Sequence, residues 1–142
     1  MKIAIGSDHA GFELKEQLIA YLNEKKIEVN NKGCYSLDRV DYPDFGHAVA
    51  ISVLSKEVDF GILLCGSGNG INMTANKHAG IRAALCWNSE IASLSRLHND
   101  ANILVLPARY ITVDEAKKCV DAFFYNAFEG GRHADRLAKI DC

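Results

Sequence analysis

Apolar residues along the chain fall into short runs separated by stretches of helical periodicity. Runs of this length, rich in Ile, Val and Leu, predict β-strands. The run around Ile62, Leu63 and Leu64 is continuously apolar, as is typical of a strand buried on both faces of a parallel sheet. The predicted strands are Lys2–Gly6, Ile27–Asn31, Asp59–Cys65, Ile81–Cys86 and Asn102–Leu106.

Between these runs, apolar residues recur at spacings of three and four, which predicts amphipathic helices. Pro43 lies near the start of the second helix, and Thr112 with Glu115 forms a capping box that opens the last one. Segments Ser67–His78 and Asn88–Leu97 carry weaker helical patterns. The apolar positions that define the three clearer helices are Leu14, Leu18, Ile19 and Leu22; Phe45, Val49 and Val53; and Val113, Ala116, Val120, Phe123 and Ala127.

Strands that alternate with helices predict an α/β fold with a parallel sheet. We therefore expect one domain over residues 1–142, a three-layer α/β/α sandwich with a five-stranded parallel sheet and a Rossmann-like architecture. Ligands of such sheets bind at the carboxyl ends of the strands. Polar clusters follow the first and third predicted strands, so we expect the functional site there.

The composition and charge of the chain limit the kinds of partner that it is expected to bind. The chain has 142 residues, 49% hydrophobic and 24% charged, as in an ordinary globular protein. Its formal net charge of -2 provides no positive field for nucleic acid or anionic membrane. No apolar run approaches the ~20 residues of a membrane span, and the N-terminus resembles a strand rather than a signal peptide. Neither nucleic acid nor a membrane is therefore an expected partner.

The five cysteines are widely spaced and form no C-x-x-C pair. An odd, scattered set argues against disulfides and a structural zinc site, and indicates the reducing cytoplasm. Most of them are expected to be inert: Cys86 ends an apolar run, Cys119 lies in a helical pattern, and Cys142 is the last residue.

Cys65 is the exception, because it ends a buried strand and begins a glycine-rich turn before a helix. Such a turn directs backbone N–H groups at one point, and the helix start adds partial positive charge. Both effects favour an anion and predict a lowered pKa for Cys65. The glycines could instead serve only close strand-to-helix packing, with Cys65 as a small buried residue. The loop after Cys65 consists of Gly66, Ser67, Gly68, Asn69 and Gly70.

Two further polar clusters contain histidine. Asp8 and His9 follow the first strand; they form either an acid–imidazole pair at the sheet edge or a helix cap with an exposed neighbour. His98 and Asn99 lie in the polar segment 97–100, which we interpret as a loop before the fifth strand. A histidine there could move a proton near neutral pH.

Near the end of the chain, two glycines precede Arg132 and Arg136. If the segment is helical, the two guanidinium groups share one face and could hold a phosphate; the alternative is a solvated helix end. Arg109 is a single basic residue after the fifth strand, and Tyr42 before Pro43 is most simply a helix start with an aromatic packing neighbour.

Taken together, these motifs resemble the type B family of ribose-5-phosphate isomerases, which includes allose- and galactose-phosphate isomerases. The matching segments cover nearly the whole chain, and their combination is more specific than any one of them. They are residues 6–12 (GSDHAGF), 41–44 (DYPD), 61–70 (GILLCGSGNG), 75–77 (ANK), 80–84 (GIRAA), 97–102 (LHNDAN) and 129–133 (EGGRH).

The resemblance implies a cofactor-free, metal-free aldose–ketose isomerase of the pentose phosphate pathway that interconverts ribose 5-phosphate and ribulose 5-phosphate. It implies that Cys65 is the base, that His98 assists ring opening and that the loop from Gly66 to Gly70 stabilises an enediolate. It also implies a homodimer, in this family often paired into a tetramer, with sites shared between chains. Positions matching substrate contacts are Asp8, His9, Tyr42, Asn99, Arg109, Arg132 and Arg136.

Two positions differ from much of that family. Ser67 stands where many members have Thr, which keeps the hydroxyl. Ile71 stands where one branch has a Glu base, so Cys65 is the only candidate base in the loop. A six-carbon sugar phosphate remains an alternative substrate, and a non-catalytic phosphosugar-binding module is the rival from another class. A thiol phosphatase would need Arg six residues after Cys65, where this chain has Ile71.

Overall fold

The computed structural model describes residues 1–141; Cys142 lies outside the described residues. Five strands and six α-helices alternate along the chain, and a short 3-10 turn at His9–Gly11 precedes the first helix. The strands are β1 Lys2–Ser7, β2 Glu28–Asn31, β3 Phe60–Cys65, β4 Ala83–Leu85 and β5 Ile103–Pro107. The helices are α1 Phe12–Glu24, α2 Tyr42–Leu54, α3 Asn69–Asn76, α4 Ser89–Asn99, α5 Val113–Tyr125 and α6 Arg132–Leu137.

All neighbouring strands are parallel, in the order β2-β1-β3-β5-β4. The predicted α/β class and five-stranded parallel sheet are therefore confirmed. The chain runs outward from β1 to β2 on one side and continues through β3 on the other. This reversal opens a crevice at the carboxyl ends of β1 and β3, where ligands of such sheets bind.

The period-two alternation of the strands divides the core into two layers. Ile62 and Leu64 face the side covered by α1, α4 and α5, whereas Leu63 and Cys65 face α2 and α3. Cys65 thus belongs to the smaller layer, at the end of its strand and against the helix that follows.

Helix starts follow the sequence signals. The Thr112 hydroxyl accepts the Glu115 N–H at 3.1 Å, as the capping box predicts. Glu115 does not complete the reciprocal bond, because its carboxylate accepts the Ser89 N–H at 2.8 Å and ties α5 to α4. Pro43 lies in the first turn of α2, and residues 132–137 are helical, so Arg132 and Arg136 do share one face.

Two predicted boundaries differ from the structure. His98 and Asn99, expected in a connecting loop, form the last turn of α4. The helix ends at Asn99 because the next residue, Asp100, adopts a left-handed conformation with φ 45°, and its N–H donates to the carbonyl oxygens of Ser95 and Arg96. The predicted strand Ile81–Cys86 is also shorter than expected, because only Ala83–Leu85 pair with β5.

Candidate active site

The predicted site residues at the carboxyl ends of β1 and β3 meet through one contact. Cys65 is buried, 8% exposed, and its thiol donates to the Asp8 carboxylate, with Sγ and Oδ2 3.2 Å apart. The other Asp8 oxygen, Oδ1, accepts the Gly11 N–H at 3.1 Å and caps the 3-10 turn before α1. Asp8 is therefore both a helix cap and the hydrogen-bond acceptor of the cysteine.

The expectation of a lowered pKa for Cys65 is wrong. Burial, followed by the hydrogen bond and the negative charge of Asp8, raises the pKa of Cys65 from its ordinary value of 9.0 to about 11. The backbone N–H groups of Gly66 and Gly68 oppose this rise, as the glycine loop suggested, but they are outweighed. Sequence reasoning recognised the N–H groups and missed the carboxylate that the fold brings beside the thiol.

The glycine-rich loop is shaped by close contacts. Gly68 has φ +80°, and a Cβ there would lie 2.5 Å from Leu85, so a larger residue would be strained and crowded. Asn69 begins α3, and its N–H donates to the Ser67 hydroxyl at 3.3 Å. The first-turn N–H groups of a helix have no partner within the helix. The loop and the start of α3 thus present donors beside Cys65.

Tyr42, which precedes the glycine loop in the sequence, and Arg109, which follows it, both lie against the loop. A Cβ on Gly70 would come within 2.4 Å of the Tyr42 ring, so the ring packs directly on the Gly70 backbone. The Arg109 N–H donates to the Gly66 carbonyl at 3.0 Å, and its guanidinium lies near Gly66 as well. Both residues therefore join Asp8 and Cys65 at this edge.

A cavity of about 500 Å³ opens beside these residues, lined by Asp8, His9 and residues 39–44. Inside it, His9 Nδ1 accepts the Val40 N–H at 3.3 Å. Neutral His9 then carries its proton on Nε2, so it offers a hydrogen-bond donor there. Sequence reasoning missed Arg39, which lines the cavity; its place three residues before Tyr42 was the available signal.

The remaining predicted residues are not at this edge of the same chain. Asn99 lies beside Arg82, the residue before β4, because the Asn99 carbonyl oxygen accepts the Arg82 Nε–H at 3.1 Å. His98 is stacked on His133 of α6, with ring centroids 4.4 Å apart. These residues lie at the amino ends of β4 and β5, whereas Cys65 lies at the carboxyl ends of the strands. The length of β5, roughly 15 Å, separates the two edges of the sheet. His98, Asn99, Arg132 and Arg136 therefore form a second group, away from Cys65.

One group of side chains in residues 1–141 has the composition of a metal site. Ligand atoms of His98, Glu129 and His133 lie within 4.8 Å of one another. The two imidazole planes differ by only 13°, so their lone pairs run side by side rather than converge on one ion. Arg132 and Arg136 add positive charge next to His133. This group suits proton transfer better than metal binding.

The sequence profile of the Ribose/Galactose Isomerase family matches residues 3–140. The chain belongs to this family. It is 48% identical over 139 residues to ribose-5-phosphate isomerase B of Escherichia coli strain K12, covering 98% of this chain and 93% of that protein.

Solved structures of the family agree closely with this fold. A ribose 5-phosphate isomerase of Thermotoga maritima has a TM-score of 0.98 and 56% identity, covering 99% of this chain and 97% of that one. Ribose-5-phosphate isomerase B of Mycoplasma genitalium, solved with bound ribulose-5-phosphate, has a TM-score of 0.93 and 43% identity, covering 98% of this chain and 93% of that one. No helix within residues 1–141 is both long and apolar enough to span a bilayer.

Proposed function

We propose that this chain is an aldose–ketose isomerase that interconverts ribose 5-phosphate and ribulose 5-phosphate, with residues 1–142 as one catalytic domain. The observation that carries the proposal is the Cys65 thiol, hydrogen-bonded to Asp8 beside the glycine loop, in a family member matched over nearly its full length. The four described cysteines are free thiols, which fits action in the cytoplasm.

Cys65 is the base in this proposal. A thiol with a pKa of about 11 is protonated at rest, and Asp8 Oδ2 is the acceptor placed 3.2 Å away to receive its proton. The resulting thiolate is stabilised by the N–H groups of Gly66 and Gly68. A pure binding module has no need of a thiol held in this way.

The thiolate removes the proton from C2 of the open-chain aldose, and the electron pair forms the C1=C2 bond as O1 becomes an oxyanion. N–H groups of the loop and of the first turn of α3 stabilise that charge; removing one such donor typically costs ~3 kcal/mol of barrier. Cys65 returns the proton to C1 while the C2 hydroxyl proton moves to O1, which leaves the ketose. C1 is reduced from aldehyde to alcohol while C2 is oxidised from alcohol to ketone, so the two changes cancel within the sugar and the reaction needs no redox cofactor.

Phosphate binding supplies the positioning energy, remote from the reacting carbons. His9 and Arg109 can contribute from the Cys65 edge. Arg132 and Arg136, both exposed on one face of α6, are the further cations of the proposal.

We propose that the site is completed by a second copy of the chain, in a homodimer that could pair into a tetramer. Within one chain, His98 and Arg132 lie at the amino ends of the strands and Cys65 at the carboxyl ends, so they cannot act on one sugar. A two-fold axis that brings the amino-end group of one chain to the carboxyl-end group of another would form two equal sites.

Complementation tests this arrangement. Cys65→Ala and His98→Asn chains, each inactive alone, are mixed under conditions of subunit exchange. Shared sites predict about a quarter of wild-type activity, because half of the dimers are mixed and each has one intact site. The matched control mixes Cys65→Ala with Asp8→Asn, which lie on the same edge and should restore nothing. No recovery in either mixture would refute shared sites.

Substrate and catalysis are tested together by NMR with five- and six-carbon aldose phosphates. Ribose 5-phosphate should be converted fastest, and Cys65→Ala should bind it without turnover. Faster conversion of allose or galactose 6-phosphate would favour the six-carbon alternative. Unchanged turnover by Cys65→Ala would reject Cys65 as the base.

A further inference from the structure

The ring of His98 is held between two neighbours that the proposed reaction does not use. It stacks on the buried His133 ring, 4.4 Å between centroids and 13° between planes. The Glu129 carboxylate faces both imidazoles at one edge, with Oε2 3.9 Å from Nε2 of His98 and 3.7 Å from Nε2 of His133. The three side chains form a single cluster on α4, α6 and the segment between α5 and α6.

Backbone hydrogen bonds hold together the segments that carry these three side chains. The Glu129 N–H donates to the Leu97 carbonyl at 3.0 Å, which ties the segment before α6 to the last turn of α4. The His133 N–H donates to the Gly130 carbonyl at 3.2 Å and closes the turn that leads into α6. The backbone of Glu129 is therefore held beside the last turn of α4, where its side chain reaches both imidazoles.

We propose that Glu129 and His133 are positioning residues for His98: the carboxylate selects its Nε2–H tautomer, and the stacked ring fixes its plane. This inference rests on the proposed role of His98 in ring opening. It assigns functions to Glu129 and His133, which have no part in the reaction as proposed above.

Oε2 of Glu129 lies 3.9 Å from Nε2 of His98, too far for a direct hydrogen bond but close enough for its negative charge to act on that nitrogen. The charge favours the tautomer whose N–H dipole points at it, so neutral His98 carries its proton on Nε2 and Nδ1 keeps the lone pair. Ring opening needs such an acceptor. Nδ1 takes the proton of the C1 hydroxyl, the bond between C1 and the ring oxygen breaks as the aldehyde forms, and the same proton is delivered to the ring oxygen.

The stack requires that the two imidazoles are not both cations. Burial lowers the pKa of His133 below its ordinary value, helped by the positive charges of His98, Arg132 and Arg136 and opposed by Glu129. His133 is therefore the neutral partner, and a neutral ring against His98 restricts rotation without repelling an imidazolium. A phenyl ring could provide the same face but no polar edge toward Glu129.

Glu129→Gln tests the carboxylate, because it keeps the size of the side chain and removes the charge. Asp135→Asn on the exposed face of α6 is the matched control. Three quantities are measured on each: forward turnover of ribose 5-phosphate, exchange of the C1 proton of ribulose 5-phosphate for solvent deuterium, and the tautomer of His98 by ¹⁵N NMR. The exchange reports enediolate formation without ring opening.

We expect Glu129→Gln to lower forward turnover roughly 10-fold, a fraction of the usual effect of general acid–base catalysis. Deuterium exchange should keep its wild-type rate, and His98 should change from the Nε2–H form to a mixture of tautomers. Asp135→Asn should change none of the three. An unchanged tautomer in Glu129→Gln, or an equal loss of turnover and exchange, would overturn the inference.

His133→Phe and His133→Ala separate the stack from the carboxylate, with the melting temperature recorded for each. The Phe variant should retain most of the forward turnover and the Ala variant should lose it, while exchange stays constant in both. Equal turnover in the Ala variant and the wild type would overturn the role of His133. If His98→Asn itself leaves forward turnover unchanged, the proposed ring opening fails instead, and the NMR measurement still decides whether Glu129 sets the tautomer.

Discussion

The thiol of Cys65 donates a hydrogen bond to the carboxylate of Asp8, with 3.2 Å between Sγ and Oδ2. This contact joins the carboxyl ends of β1 and β3, and it places a negative charge beside a group that must itself become negative to act as a base. Burial and this charge together raise the pKa of Cys65 to about 11.

Asp8→Asn should lower the pKa of Cys65, because it removes the negative charge beside the thiol and leaves only an amide oxygen, a weaker hydrogen-bond acceptor. More thiolate is then present at any pH below the wild-type value, so iodoacetamide should alkylate Cys65 faster. Turnover should nevertheless fall, since the acceptor of the thiol proton is lost. The measurements are the pH dependence of alkylation, mapped by mass spectrometry, and kcat. Slower alkylation would contradict the assigned cause of the raised pKa.

Alkaline pH should destabilise the fold through its buried thiols. Burial raises the pKa of Cys86 to about 11 and of Cys119 to about 12, from an ordinary value of 9.0. The unfolded chain therefore loses these protons first as pH rises, and it is favoured increasingly. The contribution to the free energy of unfolding is complete below pH 9.0 and is lost as pH rises through the folded values.

Urea unfolding from neutral to alkaline pH measures this effect. The denaturation midpoint should fall once pH exceeds the ordinary thiol pKa, and Cys119→Ala should reduce the slope of that fall. The same variant leaves a small cavity, so its midpoint at neutral pH should already be lower. A slope identical to the wild type would show that Cys119 does not contribute.

Gly70→Ala should disturb the site with little effect on the rest of the fold. The new Cβ would meet the Tyr42 ring at 2.4 Å, and Tyr42 is partly exposed, so the ring can swing outward. Overpacking of this kind costs about 1–3 kcal/mol when nothing can move, and less here. We expect a lower kcat/KM and a small change in melting temperature. Tyr42→Ala combined with Gly70→Ala should remove the clash and isolate the loss of the ring.

Arg132→Ala should weaken the binding of ribose 5-phosphate far more than that of free ribose, if the guanidinium holds the phosphate. Lys139→Ala, an exposed cation beyond the end of α6, is the matched control and should affect neither ligand. Calorimetric titration of both ligands into Cys65→Ala backgrounds avoids turnover. An equal loss for the two ligands would argue against a phosphate contact by Arg132.

Much of the fold could be predicted from sequence because four of the five strands are apolar runs bounded by polar turns; β2, Glu28–Asn31, is the polar exception. The start of α5 was equally clear from Thr112 and Glu115. The end of α4 was not, since the polar residues His98 and Asn99 resemble a loop, and only the left-handed conformation of Asp100 shows where the helix stops.

The chemistry of the site could be predicted less completely from the sequence, since it depends on contacts between residues far apart in the chain. Cys65 and its loop are recognisable, and Asp8 is a recognisable cap, but their hydrogen bond spans 57 positions. The pKa of Cys65 is raised rather than lowered because of burial and then because of this contact with Asp8. The cluster of Glu129, His98 and His133 likewise results from the packing of α6 on α4, and no local sequence pattern predicts it.

The burial and the raised pKa of Cys65 have a consequence for its oxidation. Peroxide attacks thiolates, and sensor cysteines combine low pKa with exposure. Cys65 is 8% exposed and keeps its proton until pH nears 11, so it has neither property. In the resting protein, Cys65 should therefore react with hydrogen peroxide more slowly than an exposed thiolate does.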